Sequence, residues 1–364
     1  MNIYKKYIKY KTKYLNLKNQ QLIGGKSMLK YNKYGKRQFK FNLKKFVNIK
    51  EGTDAIFIGE KMIVITKPGQ IYEINMNDKS FIEINNIGKL EPDFTSEEKE
   101  EGLLGIANIK GKVYLSYTVR NKSNGTTLVI SEYDLNKWKK IKDIFELSFI
   151  NPYHHGGHII STPNNKLILG TGDGGPQGDP HNQGQDINSY RAKILEIDPE
   201  NKNIRILALG VRNPWLFSLD SKNRLWIGDV GWNTSESIKL METLDRTYNF
   251  GWSIYEGSVH VPGKPNISFD SFDHLIWEYP TSDDTGRSIL GGFFIDELNA
   301  YIFGDYLGFI RAIKFNNNKW ECVAEYRLIN NELFYSLVYD GKSIYILTDK
   351  QIYVLQIVSS NSKS

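Results

Sequence analysis

The chain has 364 residues, of which 40% are hydrophobic and 24% are charged, a balance that excludes a disordered protein. The sequence contains no run of about 18 apolar residues and no apolar stretch at its start, so it predicts neither a membrane-spanning helix nor a secretory signal. The formal net charge is +6. Because the excess of Lys lies mostly in the first 50 residues, no basic groove for nucleic acid is expected in the folded part. The sequence predicts a soluble protein and does not fix its compartment.

Residues 1–29 are predicted to form a basic leader rich in Lys and Tyr, either partly helical or disordered. Its apolar residues recur at roughly helical spacing, with Lys on the other face. The leader includes a Gly24-Gly25 pair and resembles the Lys/Tyr-rich leaders of many proteins of mimivirus-type giant DNA viruses. This resemblance would imply a viral origin and a place in the virion, and it says nothing about chemistry.

Residues 30–360 are predicted to form one all-β domain, a six-bladed β-propeller with four-stranded antiparallel blades. The aromatic content of 13% and the 31 Gly suit strands joined by tight turns. An apolar strand, a polar turn and further strands recur about every 40–50 residues, as is typical of propeller blades. The amphipathic helices that a parallel α/β sheet needs between its strands are missing. The six units contain the apolar segments Ile56–Ile58, Val113–Tyr117, Leu167–Leu169, Leu225–Ile227, Tyr301–Phe303 and Ile344–Leu347.

Three histidines lie close together in the segment Pro152–His158. His154 and His158 have the i, i+4 spacing of a helical zinc site, but Gly156-Gly157 between them argues against a helix. An imidazole on a Gly-rich strand edge could instead act as a general base, because it titrates near neutral pH. The alternative is a histidine that is hydrogen-bonded inside the channel wall.

Two later regions carry further polar and aromatic side chains. The loop Thr171–Asp186 is rich in Gly, Asp and Asn, whose oxygens would suit calcium, although ordinary turn chemistry explains the same residues. Arg212 and Asn213 precede a Pro and could hold an anionic group or a developing oxyanion. The rings of Trp232 and Trp252 could stack on a sugar or on a flat cofactor.

Taken in this order, the motifs resemble the soluble glucose/sorbosone dehydrogenase family, which includes the bacterial quinoprotein aldose sugar dehydrogenases and the propeller of hedgehog-interacting protein. The resemblance extends over most of residues 50–350. The matching segments are Glu100–Ala107, His154–Gly157, Gly172-Asp173, Asn182–Asp186, Lys193–Asp198, Val211–Pro214, Trp226–Gly231, Asn249–Trp252, Tyr255–Gly257, Gly291-Gly292 and Phe303–Tyr306.

The resemblance implies an oxidation of the anomeric carbon of an aldose to a lactone that depends on pyrroloquinoline quinone (PQQ) and calcium. It places the catalytic base at His154, which would take the hydroxyl proton of the sugar. Arg212 and Asn213 would contact both the quinone and the substrate. Glu100 would lie on the quinone, at a position where the family enzymes often have Gln.

The resemblance also implies where calcium would bind and which contacts to the quinone are lost. The backbone carbonyls of Gly231 and Trp232 would hold the cofactor-bound calcium, with Trp232 beside the cofactor. The family enzymes grip the carboxylates of the quinone with a Lys in the fifth blade and two Arg at the start of the last. The corresponding stretches, Gly304–Gly308 and Leu333–Ser336, contain neither Lys nor Arg, and Arg311 has the position of a structural strand residue. Because a hydrogen bond to a charged group contributes about 1.5–3 kcal/mol, PQQ is expected to bind far less tightly without these partners.

Two hypotheses of function follow. The first is a PQQ- and calcium-dependent dehydrogenase of a small-molecule sugar, favoured by the presence of His154, Arg212 and Asn213. The second is a propeller that has kept the fold without the redox cofactor and binds a glycan or a protein partner, favoured by the missing Lys and Arg. No specific nucleic-acid partner is expected, and the sequence does not give the oligomeric state.

Overall fold

A computed structural model of the chain describes residues 35–98, 100–122, 125–328 and 332–359. The predicted leader lies outside these residues, and the predicted domain boundary at residue 30 also lies there. Among the described residues, no helix has the length and apolar character needed to cross a membrane.

Strands account for almost all regular structure in the described part of the chain. The first strand, β1, is Phe39–Val47. The first blade contains β2 (Gly52–Ile58), β3 (Lys61–Thr66), β4 (Gln70–Asn75) and β5 (Phe81–Asn86). The second contains β6 (Leu103–Ile109), β7 (Lys112–Arg120), β8 (Thr126–Asp134) and β9 (Lys140–Phe149). The third contains β10 (Gly156–Ser161), β11 (Leu167–Thr171), β12 (Lys193–Ile197) and β13 (Ile204–Leu209).

Among the remaining three blades, the fourth is the longest in sequence because a long connection precedes its outer strand. The fourth contains β14 (Pro214–Leu219), β15 (Leu225–Asp229), β16 (Ser235–Met241) and, after the short strands β17 (Tyr248–Asn249), β18 (Tyr255–Glu256) and β19 (Val259–His260), the outer strand β20 (Leu275–Pro280). The fifth contains β21 (Ile289–Ile295), β22 (Ala300–Asp305), β23 (Phe309–Asn316) and β24 (Lys319–Arg327). The sixth contains β25 (Phe334–Tyr339), β26 (Ile344–Thr348), β27 (Ile352–Ser359) and β1. The helices in the described residues are α1 (Ile87–Leu90) and 3-10 turns at Phe269–Ser271 and Asp296–Leu298.

The ring is closed by pairing the two ends of the described chain. β1 runs antiparallel to β27, with Phe39 opposite Ser359 and Leu43 opposite Leu355, so the last blade takes its outer strand from the start of the domain. This confirms the predicted all-β, six-bladed propeller with four-stranded antiparallel blades. β17 adds a short parallel extension to the third blade.

Among the described residues, six of the hydrophobic clusters each lie mainly between two neighbouring blades, and a smaller one contains Ala192, Trp252 and Val261. Between the second and third blades, for example, Tyr114 and Leu128 pack with Leu169 and Leu195, all of them buried. Each blade is therefore apolar on both faces, which explains why its strands do not alternate strictly between apolar and polar residues.

The inner strands β2, β6, β10, β14, β21 and β25 line a central channel with a cavity at each mouth. Every one of them has a register shift against its neighbour close to its first residue. Such bulges bend a strand and re-aim its side chains. The first residues of these strands line a cavity of about 360 Å³ that includes Thr53, Leu104 and Phe334; we call this the axial cavity. Their last residues line a second cavity of about 490 Å³ that includes Ser161 and Tyr339, the opposite cavity.

Candidate functional site

His154 lies between β9 and β10 and is held by two carboxylates. Its backbone has a φ of 56°, and its backbone N–H donates to Glu100 Oε2 at 2.6 Å. Its ring Nδ1 lies 2.6 Å from Asp173 Oδ1. The loop after β11 brings Asp173 this close because Gly172 has no side chain, since a Cβ there would lie 2.0 Å from the His154 carbonyl oxygen.

Asp173 is a buried carboxylate that fixes the orientation of the His154 ring. Its other oxygen, Oδ2, accepts a hydrogen bond from Trp252 Nε1 at 3.0 Å, and Oδ1 also accepts the Gly175 N–H at 2.9 Å. Burial raises the pKa of Asp173, but the hydrogen bond from His154 and the positive charge of Arg212 outweigh burial and lower it. The ionised carboxylate can only accept, so Nδ1 of His154 carries a proton.

Arg212 contacts Nε2, the other ring nitrogen of His154. Its Nη2 lies 3.0 Å from His154 Nε2, and since a guanidinium only donates, Nε2 is the acceptor and the imidazole is neutral. Its Nη1 donates to the carbonyls of Val230 at 3.1 Å and Gly231 at 2.6 Å, and the guanidinium stacks 5.5 Å from the Trp252 ring centroid. The lone pair of Nε2 could therefore accept a proton only after Arg212 moves aside.

The Arg212-Asn213 pair is positioned by a buried ion pair that the sequence analysis did not predict. Asp229 accepts the backbone N–H of Arg212 at 2.9 Å and that of Asn213 at 2.8 Å. Lys239 Nζ lies 2.5 Å from Asp229 Oδ2, and both side chains are buried. Asp229 ends β15 and Lys239 is on the adjacent strand β16, so the sheet places them together.

Asn213 and Glu100 connect this group of residues to the axial cavity. Both line the cavity, and Asn213 Nδ2 donates to Glu100 Oε2 at 3.1 Å. The structure therefore brings His154, Arg212, Asn213 and Glu100 into one hydrogen-bonded group. Within the described part of the chain, the buried Asn213 Oδ1 has no hydrogen-bond partner, and unpaired polar atoms of this kind often mark a functional site.

Gly231 and Trp232, the residues proposed to hold calcium, lie in a loop that is organised by Glu256. Its Oε1 accepts the backbone N–H groups of four successive residues, Trp232, Asn233, Thr234 and Ser235. The Gly231 carbonyl is taken by Arg212, and Trp232 Nε1 donates to Gln177 Oε1 at 2.8 Å.

The residues of the two other metal sites considered, the zinc site at His154 and His158 and the calcium loop Thr171–Asp186, have ordinary hydrogen-bond partners in the protein. The two histidines have different carboxylate partners: His158 Nδ1 lies 3.2 Å from Asp54 Oδ2, whereas His154 Nδ1 contacts Asp173. In the described ranges, no cluster of His, Cys, Asp or Glu could hold a metal ion. From the following strand, Lys193 Nζ donates to the carbonyl of Gln183 in the loop Thr171–Asp186 and to that of Arg191, and burial lowers the pKa of Lys193 to about 8. An ammonium group and turn hydrogen bonds thus hold that loop.

The lining of the axial cavity does not fit the three carboxylates of PQQ. Lys67 is the single Lys or Arg among the described residues that line the cavity, and its Nζ already donates to the Ser96 carbonyl at 2.8 Å. Tyr306 and Tyr335, which lie in the two stretches where the resemblance would place those cations, line the cavity with stacked rings whose centroids are 6.2 Å apart. Glu100 adds a negative charge to the same wall. A trianionic cofactor would meet one cation where it needs several.

Arg311 does not replace the missing cations. It is buried, its Nε lies 2.6 Å from Glu325 Oε2, and its guanidinium stacks on the rings of Tyr279 and Phe309. It therefore stabilises the fifth blade, as expected from its strand position.

A buried pair of carboxyl groups lies beneath the site. Glu236 Oε2 accepts the backbone N–H groups of Gly231 and Ile289 at 3.1 and 3.0 Å. Burial, with a contribution from Asp305, raises the pKa of Glu236 to about 8. Burial also raises the pKa of Asp305, which accepts a hydrogen bond from the Tyr279 hydroxyl at 2.7 Å.

The raised pKa of Glu236 predicts a pH-dependent stability. The folded state holds a proton on Glu236 that the unfolded state releases near its ordinary pKa of 4.5, so the free energy of unfolding falls as pH rises from about 4.5 to about 8. Gln keeps the acceptor for Gly231 and Ile289 and cannot ionise. We therefore expect Glu236→Gln to flatten the decline between pH 5 and pH 8, measured by urea unfolding. An unchanged slope in the variant would contradict the assignment.

The protein is thus a six-bladed propeller that carries a His–Asp pair and an Arg–Asn pair at one mouth of its channel. The glucose/sorbosone dehydrogenase family model matches residues 53–274, more than half of the chain. The chain therefore belongs to the glucose/sorbosone dehydrogenase family, which confirms the resemblance of its motifs.

Two curated relatives come from Arabidopsis thaliana. The HIPL2 protein is 31% identical over 226 residues, which are 51% of this chain and 32% of the relative. The HIPL1 protein is 27% identical over 249 residues, which are 57% of this chain and 35% of the relative. The chain thus spans about a third of the length of these relatives.

Solved structures share the fold at low sequence identity. The apo aldose sugar dehydrogenase of Escherichia coli superposes with a TM-score of 0.71 at 14% identity, over 88% of this chain and 99% of that one. The PQQ-bound aldose sugar dehydrogenase of Streptomyces coelicolor superposes with a TM-score of 0.68 at 17% identity, over 88% and 99% of the two chains. These similarities establish the common propeller.

Proposed function

We propose that the axial cavity binds a carbohydrate directly, without a quinone cofactor. The observation that carries this proposal is the stacked pair Tyr306–Tyr335, which occupies the cavity wall where cations for PQQ would be needed. Aromatic rings offer a flat apolar surface with a polar hydroxyl at one end, which matches a sugar ring with its apolar faces and polar edge.

The rest of the cavity also suits a small polyhydroxylated ligand. Its volume of about 360 Å³ lies in the range of small-molecule sites, which combine an apolar lining with a few polar groups. Glu100, Asn213 and Lys67 supply an acceptor, an amide and an ammonium group at its wall. The matched structures from E. coli and S. coelicolor are described as aldose sugar dehydrogenases, which supports a sugar as the ligand of this propeller too.

A second candidate is the PQQ- and calcium-dependent oxidation of an aldose to its lactone. It is favoured by the neutral, Asp173-oriented imidazole of His154 next to Arg212, an arrangement suited to a general base. The calcium would require the carbonyl of Gly231, which Arg212 holds, and the cations for the quinone are missing from the described lining. We therefore place it second.

One titration series distinguishes the two candidates. We expect isothermal titration with aldoses to show saturable binding in a calcium-free buffer without quinone, and titration with PQQ and calcium to show none at micromolar concentration. Dye reduction with PQQ, calcium and several aldoses is expected to stay at the level of a His154→Ala control. Quinone binding together with sugar turnover that the control abolishes would establish the second candidate instead.

A further inference from the structure

The carboxylate of Glu100 presents an acceptor to the axial cavity. The hydrogen bonds that its side chain accepts from described residues, those of the His154 N–H and Asn213 Nδ2, both end on Oε2. These contacts fix the carboxylate and leave Oε1 for a ligand. Glu100 is half-buried, so its charge is screened less than that of a surface carboxylate.

Further acidic groups surround the same cavity. Besides burial, the charges of Glu51 and Asp349 raise the pKa of Tyr335, and the charge of Asp349 raises the pKa of Tyr306. Asp349 Oδ1 also accepts the Leu333 N–H at 2.9 Å, which places this carboxylate close to the start of the strand that carries Tyr335. A negative charge beside the two rings favours a cationic ligand group.

The surroundings of Lys67, the cation in the described cavity lining, lower the pKa of its ammonium group. Burial lowers the pKa of Lys67, while Glu51, Glu101 and Glu98 act to raise it. Its ammonium group donates to the Ser96 carbonyl at 2.8 Å. The cation of the lining is thus held by a backbone carbonyl, and the described lining carries one ammonium group and one carboxylate.

The aromatic wall points to the same kind of ligand. Tyr306 and Tyr335 both line the cavity, and the faces of aromatic rings attract cations. A ligand that touches both the rings and Glu100 would gain from a positive charge at each contact.

From this arrangement we infer that the ligand of the axial cavity is an amino sugar, whose protonated amine binds Glu100 Oε1. The inference rests on the proposed carbohydrate binding and adds the class of sugar. Glu100 is then the residue that determines specificity, because it favours a cationic sugar over a neutral sugar and disfavours a sugar acid.

Three sugars of similar shape test the inference. D-glucosamine, D-glucose and D-glucuronate are titrated calorimetrically at low ionic strength and at a pH where the amine is protonated. We expect glucosamine to bind about tenfold more tightly than glucose, as one charge-assisted hydrogen bond allows, and glucuronate to bind least. Added salt should reduce the preference.

The variant Glu100→Gln separates recognition from folding. Gln keeps an oxygen for the His154 N–H and removes the charge. The preference for glucosamine over glucose is expected to fall to about twofold or less, and a circular dichroism spectrum and a urea unfolding midpoint like those of the wild type show that the variant is folded. Equal binding of glucosamine and glucose to the wild type, or a preference that survives in the variant, would overturn the inference and leave carbohydrate binding intact. Binding of none of the three sugars would instead reject the proposed function.

Discussion

Replacing Tyr335 by Ala is expected to weaken sugar binding to the axial cavity by about thirtyfold. The Tyr335 ring forms half of the stacked pair with Tyr306, and its removal opens the surface on which the sugar lies. Truncation of the few aromatic residues that dominate a binding site costs about 2 kcal/mol or more of binding free energy. Because the ring is only half-buried and its backbone carbonyl still accepts the Trp215 Nε1 hydrogen bond, the variant should fold. The measurement is calorimetric titration with the tightest-binding sugar.

Tyr339→Ala is the matched control for this experiment. Tyr339 lies on the same strand, β25, and lines the opposite cavity, where its ring packs on Phe293 at a centroid distance of 5.7 Å. A sugar that binds in the axial cavity should not respond to this substitution. If Tyr339→Ala weakens binding as much as Tyr335→Ala, the ligand does not bind where we propose.

Removing the Asp229 carboxylate is expected to cause the largest loss of stability. In Asp229→Ala the buried Lys239 ammonium loses its partner at 2.5 Å, and the backbone N–H groups of Arg212 and Asn213 lose their acceptor. Breaking a buried ion pair on one side costs about 3–5 kcal/mol, because the remaining charge is left without a partner. The free energy of unfolding in urea measures the loss.

Two further variants test this explanation. Adding Lys239→Met to Asp229→Ala removes the unpaired charge and should recover part of the lost stability. Glu73→Ala breaks the exposed pair with Lys61 and should cost less than about 1 kcal/mol. A loss of that small size in Asp229→Ala would show that the ion pair does not stabilise the fold.

Much of the fold was predictable because each blade repeats a local pattern. Five of the six apolar segments identified in the sequence fall in the second strand of a blade, and Ile56–Ile58 falls in the first strand. The role of β1 was not predicted. It pairs with β27 across more than 300 residues, and no local pattern reports a contact between such distant segments.

Most residues of the candidate site could be predicted from the sequence, but their contacts could not. His154, Arg212, Asn213 and Glu100 were selected from motifs, and the structure brings them together. Asp173 belongs to the Gly-rich loop Thr171–Asp186, and nothing in the sequence indicates that it would bind His154. Its position follows from the close approach of two loops that are separate in the chain.

The stacked pair of Tyr306 and Tyr335 in the cavity wall was the feature that could least be predicted from the sequence. In a chain with 22 Tyr, nothing distinguishes Tyr306 and Tyr335 from tyrosines of the core. Only the closure of the ring brings the fifth and sixth blades together and stacks these two rings. The sequence could show that Lys and Arg are missing, but not what takes their place.

The central claim is that this cavity holds a sugar rather than a quinone. A crystal structure of the protein grown with PQQ, calcium and D-glucosamine present together tests it most directly. We expect density for the sugar against the Tyr306–Tyr335 rings, with its amine on Glu100 and Arg212 still bound to the Gly231 carbonyl. Density for the quinone in that cavity, with calcium on the Gly231 carbonyl and Arg212 displaced, would contradict the account.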